Sequence, residues 1–291
     1  MTRALHGIIT PLVTPFDRSG EILEKGYQES IEFVIKNGVH GLVLLATAGE
    51  SPCLTFAEKK RLIDLGLKTN SGRVPILVGV GGLNARETFQ LIDYAEGAGA
   101  DGLFVITPYF FRFTREEYIG YFVEISKRCK TQILIYNSTY AEVPLDPKSI
   151  ARLAELPNIT GLKEGNPMQT SEVIRLTGGR LGVFTSRDTY LYENMALGGA
   201  GGIFFSSNVA PKLSVELYDA MAKGNWARGR EIQFKLNPLV LQLVARSYPA
   251  GIKAAMNLVG LTGGQVRFPL TDYTQDEVAR LRRVLQEIEL V

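Results

Sequence analysis

Eight short apolar runs follow one another along the first 205 or so residues, and each is separated from the next by a stretch long enough for a helix. The runs do not alternate between apolar and polar residues, so they predict strands buried on both faces, as in a parallel sheet. They read GIITPLV, GLVLLAT, PILVGV, GLFVITP, QILIYN, ITGLKE, LGVFTS and AGGIFF.

The stretches between these runs are amphipathic, and several begin at a capping residue such as Thr55, Asn84 or Thr114. Eight strand–helix units predict an α/β protein with the (β/α)8 TIM-barrel fold. An open, doubly wound sheet is the alternative, and it calls for a glycine-rich fingerprint after the first strand. The glycine-rich segment GVGGLNA follows the third run and lacks that fingerprint, which favours the barrel.

The strand pattern stops after residue 212, and the remaining sequence has helical periodicity. Helical periodicity is found in three stretches: KLSVELYDAMAKGNWARGREIQFKLNPLVLQLVARS, AGIKAAMNLVGL and QDEVARLRRVLQEIEL. We therefore predict a barrel over residues 1–212 and a C-terminal helical region, residues 213–291, packed on the barrel.

Charge and cysteine content narrow the possible partners and compartments. The net charge is +2 with scattered Lys and Arg, which argues against a nucleic-acid or acidic membrane surface as partner. Cys53 and Cys129 are too few for a disulfide framework and fit a reducing compartment. The N-terminal residues include prolines and charges that a signal peptide avoids, and no apolar run approaches a membrane span of about 18 residues. These features predict a cytoplasmic protein.

Lys163 stands at the end of the sixth apolar run, in the segment ITGLKEG. Burial disfavours the charged form of a lysine, and a neutral lysine amine can attack a ketone to form a Schiff base. We therefore predict that Lys163 is the nucleophile of a 2-oxo acid enzyme. The alternative is a lysine that extends to solvent or pairs with the adjacent Glu164.

Two further strand ends carry polar groups that suit this chemistry, because the carboxyl ends of barrel strands form one active-site face. Tyr136 ends the fifth run and is a candidate proton shuttle. Thr47 ends the second run, and its hydroxyl, with free N–H groups around Ala48 and Gly49, would bind a substrate carboxylate. Structural roles are the alternative for each: a strand-end Tyr-Asn pair, and an ordinary turn with a helix cap.

The sequence resembles the dihydrodipicolinate synthase/N-acetylneuraminate lyase family of class I aldolases over nearly its whole length. The matching segments are TPLVTPFD, NGVHGLVLLATAGES, AGADGLFVITPYF, ILIYN, PNITGLKEG, ALGGAGGIFFSSNVAPK and GIKAAMNLVGLTGGQVRFPL. Their order and spacing agree with the eight-strand interpretation. Together they are specific for the family and much less so for any one member's reaction.

The resemblance implies a role for several of these positions. Lys163 would form the Schiff base with pyruvate or another 2-oxo acid, and Tyr136 would carry protons over the imine. Residues 46–51 match the family's GTTGES loop for the substrate carboxylate, and Ile203 falls where a backbone carbonyl borders the pocket. The resemblance also implies a homotetramer built as a dimer of dimers, with no metal and no organic cofactor.

Three positions depart from the family pattern. The second threonine of the carboxylate loop is Ala48, which removes one hydroxyl donor. The tyrosine that crosses a dimer interface to complete a hydroxyl relay is Phe110, whose ring cannot pass a proton, although Tyr109 or Tyr140 could substitute. The arginine that binds the carboxylate of aspartate semialdehyde is Ala141, and the neighbouring Glu142 has the opposite charge.

These departures predict a pocket with less charge around the distal half of the substrate, lined by Phe110, Ala141, Phe204 and Phe205. Core packing is the alternative for Phe204 and Phe205 in particular. Asp188 matches one polar position that sialate-type lyases use to hold a sugar chain.

The function predicted from the sequence is a Schiff-base-forming lyase or aldolase acting on pyruvate or a related 2-oxo acid. The alternatives are dihydrodipicolinate synthase itself, a 2-oxo acid dehydratase or deaminase of the same family, and a non-catalytic 2-oxo acid binding paralogue.

Overall fold

All eight apolar runs form parallel β-strands in this computed structural model, which describes residues 5–138 and 140–291. Most strand residues are buried, as expected for a sheet covered on both faces. The strands are β1 Gly7–Pro11, β2 Gly41–Leu44, β3 Ile76–Val80, β4 Gly102–Ile106, β5 Gln132–Tyr136, β6 Ile159–Glu164, β7 Gly182–Thr185 and β8 Gly201–Ile203.

The sheet closes on itself, with every strand beside its sequence neighbours and β8 paired with β1 through Ile9 and Ile203. The predicted (β/α)8 TIM barrel is therefore confirmed. The barrel interior is a packed core of side chains from the strands and the turn after β2, as in other barrels of this size. Its buried apolar members are Ile9, Val43, Ala46, Leu77, Phe104, Leu134, Phe184 and Ile203.

Eleven α-helices lie within the described ranges, and the three capping residues named from the sequence each cap a helix. Thr55 and Thr114 each form a capping box with the glutamate three residues later, and Asn84 caps its helix with its side chain. The helices are α1 Glu24–Lys36, α2 Phe56–Asn70, α3 Ala85–Gly97, α4 Arg115–Arg128, α5 Pro147–Leu153, α6 Pro167–Thr177, α7 Leu191–Ala196, α8 Pro211–Ala222, α9 Trp226–Leu243, α10 Ala250–Leu258 and α11 Gln275–Glu287.

The C-terminal region differs from the prediction in one respect. The long helical stretch from residue 212 is divided at Gly224, which has a left-handed φ of 73°, and Asn225 caps the next helix. The first half, α8, contacts β1 and completes the ring of barrel helices, so the predicted boundary at residue 212 falls inside a barrel helix. Helices α9, α10 and α11 contact one another beyond it. None of the helices that the structure describes has the length and hydropathy of a membrane span.

Candidate active site

Lys163 lies in β6 directly beside Tyr136 of β5, with which it is in register. Its side chain points into the barrel, where it is only 8% exposed. The Lys163 Nζ atom lies 4.4 Å from the centroid of the Tyr136 ring and 5.5 Å from that of Phe104. The structure therefore brings the two predicted catalytic side chains together inside the C-terminal mouth of the barrel.

Glu164 does not pair with Lys163, because successive side chains of a strand point to opposite faces of the sheet. Its carboxylate accepts hydrogen bonds from the Asn137 amide at 2.7 Å and from the Asn166 backbone N–H at 2.8 Å. Asn137 also exchanges two hydrogen bonds with the backbone of Leu145, which ties down the loop after β5. The alternative that Lys163 forms an ion pair with Glu164 is therefore wrong. Asn137 has a structural role.

Burial lowers the pKa of Lys163 to about 8, and the carboxylate of Asp188 opposes this effect by favouring the ammonium form. Asp188 is fully buried, and burial raises its own pKa to about 7. Its Oδ2 atom accepts a hydrogen bond from the Ser206 backbone N–H at 2.8 Å. Asp188 therefore favours the charged form of Lys163 electrostatically, without a direct ion pair between the two side chains among the described residues.

Tyr136 stacks on Phe104, with ring centroids 5.2 Å apart. Burial raises the pKa of Tyr136 to about 12, while the nearby Ser138 and Thr47 hydroxyls lower it in part. The phenol is therefore protonated at neutral pH and lies near two hydroxyls of its own chain. The sequence analysis did not identify Ser138. Residues i and i+2 of an extended segment lie on the same side, and this spacing could have placed Ser138 beside Tyr136.

Thr47–Gly49 form a single 3-10 turn at the end of β2. The Gly49 N–H donates to the Ala46 carbonyl at 3.0 Å, so this amide is occupied, contrary to the expectation of a free N–H there. The amides of Thr47 and Ala48 remain as candidate donors. Leu45 and Glu50, which flank the turn, have left-handed φ angles of 57° and 54°. Strained non-glycine residues of this kind cluster at ligand-binding loops.

A buried ion pair holds the far end of this turn. The Glu50 carboxylate contacts the Lys253 ammonium from α10, and both side chains are 1% exposed. Lys253 also donates to the Gln265 carbonyl at 2.7 Å, and the Arg267 backbone N–H donates to Glu50 at 2.8 Å. The C-terminal region therefore fixes the position of the Thr47–Gly49 turn.

A cavity of about 340 Å³ opens beside the Tyr136 and Phe104 rings. That volume is at the lower end of the range for small-molecule sites. Lys163 contacts these two rings and is not itself one of the lining residues. The lining comprises Leu45, Ala46, Thr47, Glu50, Ser51, Pro52, Cys53, Lys59, Gly79, Val80, Gly81, Leu91, Phe104, Ile106, Tyr109, Tyr136, Tyr140, Tyr248 and Leu270. Within residues 5–138 and 140–291, no three His, Cys, Asp or Glu side chains cluster as a metal site would require.

The distal residues predicted from the sequence do not line this cavity in the single chain. Phe110 is 83% exposed and has a left-handed φ of 88°, so its ring faces solvent in the single chain. Ala141 and Phe204 belong to the buried core between strands and helices. Phe205 packs on the Tyr248 ring. Core packing, the alternative for Phe204 and Phe205, is therefore what the structure has.

Three further positions named from the sequence can be located in the structure. Ile203 is fully buried in the barrel interior at the end of β8. Tyr109 and Tyr140, the candidates to replace the relay tyrosine, both line the cavity. Tyr140 is also coupled to Tyr136 electrostatically, since its charge would raise the pKa of Tyr136.

Comparison with known proteins agrees with this architecture. The model of the dihydrodipicolinate synthetase family matches residues 4–288. The 4-hydroxy-tetrahydrodipicolinate synthase of Thermodesulfovibrio yellowstonii is 33% identical over 98% of this chain and 99% of its own. The crystal structure of the Thermotoga maritima dihydrodipicolinate synthase superposes with a TM-score of 0.95 at 34% identity, covering 99% of this chain and 100% of that one.

A further solved structure is that of YagE, a prophage protein of the dihydrodipicolinic acid synthase family from E. coli K12, in complex with pyruvate. It has a TM-score of 0.94 and 30% identity, and the match covers 99% of both chains. The full-length family match and the close agreement of the folds lead to one conclusion: this chain belongs to the dihydrodipicolinate synthetase family.

Proposed function

We propose that this family member is a class I lyase that forms a Schiff base between Lys163 and pyruvate or a related 2-oxo acid. The observation that carries the proposal is a buried amine with a lowered pKa, 4.4 Å from the ring of a buried phenol. The pyruvate complex of YagE supports a 2-oxo acid as the ligand class. The names of the curated relatives support a synthase that uses the same intermediate.

In the proposed reaction, the neutral Lys163 amine adds to the ketone carbon, and loss of water gives a protonated imine. Cleavage of the bond between the third and fourth carbons places its electron pair in an enamine. The proton of the substrate's 4-hydroxyl leaves as an aldehyde forms. Protonation of the enamine and addition of water then release pyruvate and restore the amine.

Tyr136 is the group that we assign to these proton transfers. Its pKa of about 12 keeps it protonated in the resting protein, so it begins as a proton donor to the oxygen that leaves as water. The nearby Ser138 and Thr47 hydroxyls would pass protons onward within one chain. The Thr47 and Ala48 amides would hold the substrate carboxylate.

Reduction of the imine tests the proposal. The protein is incubated with pyruvate, treated with borohydride and digested, and the modified peptide is located by mass spectrometry. We expect the adduct on the peptide that contains Lys163 and none on the peptide that contains Lys253, the other deeply buried lysine, which is neutralised by Glu50. Absence of an adduct with pyruvate and with longer 2-oxo acids would leave the proposal without its intermediate.

Imine formation should depend on pH through Lys163. Only the neutral amine attacks, so with a pKa of about 8 the rate should rise as pH increases and level off above that value. Asp188→Asn removes the carboxylate that stabilises the ammonium, and the midpoint should therefore move to lower pH. The measurement is the initial rate of imine formation across this range. Asp276→Asn, on the exposed first turn of α11, is the control and should leave the midpoint unchanged.

We further propose a homotetramer built as a dimer of dimers, located in the cytoplasm. Two separate apolar surfaces support two kinds of interface. One surface is formed at the barrel mouth by the exposed Phe110, Phe111 and Tyr140. The other lies on α9 and includes Phe234 and Leu241, which are 66% and 62% exposed.

The proposed location in the cytoplasm is supported by the cysteines. Both are free, as in a reducing compartment.

Light scattering after size-exclusion chromatography tests the assembly. Phe234→Asp places a charge in the centre of the α9 surface and should convert the tetramer to a dimer, because a buried unpaired charge opposes association. Lys25→Asp, at a side chain that is 91% exposed on α1, is the control and should leave the mass unchanged. A wild-type monomer at micromolar concentration would refute the tetramer.

A further inference from the structure

The wall of the cavity carries no unbalanced charge among the residues that the structure describes there. Its two charged members are Glu50 and Lys59. Glu50 is neutralised by Lys253, as described above. The Lys59 ammonium lies 2.6 Å from the carboxylate of Glu87 on α3. Neither residue is therefore available to balance a charge on a ligand without first losing its partner.

The other polar groups around the cavity are neutral at physiological pH. Burial raises the pKa of the Tyr109, Tyr140 and Tyr248 hydroxyls and of the Cys53 thiol. Phenols and thiols in this state donate and accept hydrogen bonds without contributing charge. Their rings and the neighbouring aliphatic side chains supply an apolar surface.

A second anionic group, in addition to the carboxylate that the Thr47 and Ala48 amides would hold, would be poorly accommodated in such a site. A carboxylate that leaves water needs a counter-charge or several hydrogen-bond donors, and burial without them is costly. To obtain a counter-charge here, it would have to displace Glu87 from Lys59. An uncharged group meets no such barrier and gains from burial of its apolar surface.

We propose that the carbonyl compound that reacts with the pyruvyl enamine of this protein, or is released from it, is an uncharged aldehyde. This inference rests on the proposed function, because it concerns the second component of the same reaction. The enamine carbon forms a bond to the aldehyde carbon, and the aldehyde oxygen takes the Tyr136 hydroxyl proton. Water then hydrolyses the protonated imine, which releases a 4-hydroxy-2-oxo acid and the free Lys163 amine and returns a proton to the Tyr136 oxygen.

The test compares aldehydes that differ only in charge. Wild-type protein and pyruvate are supplied with 4-oxobutanoate or its methyl ester, and with 4-carboxybenzaldehyde or its methyl ester. The measured quantity is kcat/KM for aldehyde consumption. In at least one pair, we expect the ester to be preferred by about tenfold or more, which is the discrimination typical of a neutral pocket.

Glu87→Gln provides a matched variant that keeps the shape of the side chain and leaves Lys59 with an uncompensated charge. The ester-to-acid ratio should fall by about threefold to tenfold, as expected when a cation becomes available near a carboxylate. Glu32→Gln removes the partner of Arg73 on the outer surface and is the control. It should leave the ratio unchanged.

Imine trapping with pyruvate in the same samples separates the two proposals. Suppose that the imine forms and the acids react as well as or better than the esters. The proposal that the second substrate is an uncharged aldehyde is then wrong, and the proposed Schiff-base function stands. The same conclusion follows if none of the four aldehydes reacts, or if Glu87→Gln leaves the ratio unchanged. If no imine forms, the proposed function fails and this inference fails with it.

Discussion

Lys163→Met is expected to abolish turnover, with a loss of about 10⁴-fold or more, as is typical when a covalent nucleophile is removed. The reason is that the electron sink of the reaction is the iminium formed on this amine. Methionine fills similar space and carries no nucleophile. Product formation from 2-oxo acid substrates and imine trapping are the two measurements, and both should be at background.

The same substitution should leave the fold intact. It replaces a buried ionisable group, whose burial disfavours its charged form, by an apolar side chain, so thermal stability should be equal or higher. Lys163→Arg is the companion variant, because it keeps a positive charge that does not form an imine, and it should also be inactive. Retained turnover in a folded Lys163→Met protein would contradict the assignment of the nucleophile.

Tyr136→Phe should lower kcat by about 10²-fold to 10⁴-fold, the usual range for loss of a general acid–base group. The stacking on Phe104 is preserved, since the ring remains, and only the hydroxyl near Ser138 and Thr47 is lost. Imine formation should therefore still be detectable but slower, because loss of water from the adduct needs a proton donor.

Tyr27→Phe is a suitable control for this variant. Its hydroxyl is also buried, has no hydrogen-bond partner in the described structure and lies outside the cavity lining. It should leave kcat unchanged. Ser138→Ala should give a smaller loss than Tyr136→Phe if Ser138 continues the proton path within the chain. Equal activity of the Ser138→Ala variant and wild type would show that the path runs elsewhere.

The sequence predicted the barrel correctly because its signals are local and repeated. Each strand is a continuous apolar run, and helix caps such as Thr55 and Thr114 depend on residues only three positions away. The division between α8 and α9 was missed because the stretch is amphipathic throughout. Gly224 ends the helix by its backbone conformation, and periodicity does not report it.

The candidate site was predictable to a different degree. Lys163 and Tyr136 could be placed together because strand ends of a barrel converge on one face. The relation of Phe110, Ala141 and Phe204 to the cavity could not be read in this way, since it depends on loop paths and on which side of the sheet each residue faces. The structure places the first at the surface and the other two in the core.

The amino-acid sequence by itself determined the number and order of the strands, the strand-end positions of the lysine and the phenol, and the family. These follow from patterns of neighbouring residues and from the segments that match the family. Only the tertiary structure decided that Glu164 turns away from Lys163, that Asp188 influences the protonation of Lys163, that Ser138 lies near Tyr136, and that Lys59 is neutralised by Glu87. Such pairings join residues from different strands, helices and loops, and their energies depend on burial and distance, which no local pattern of residues records.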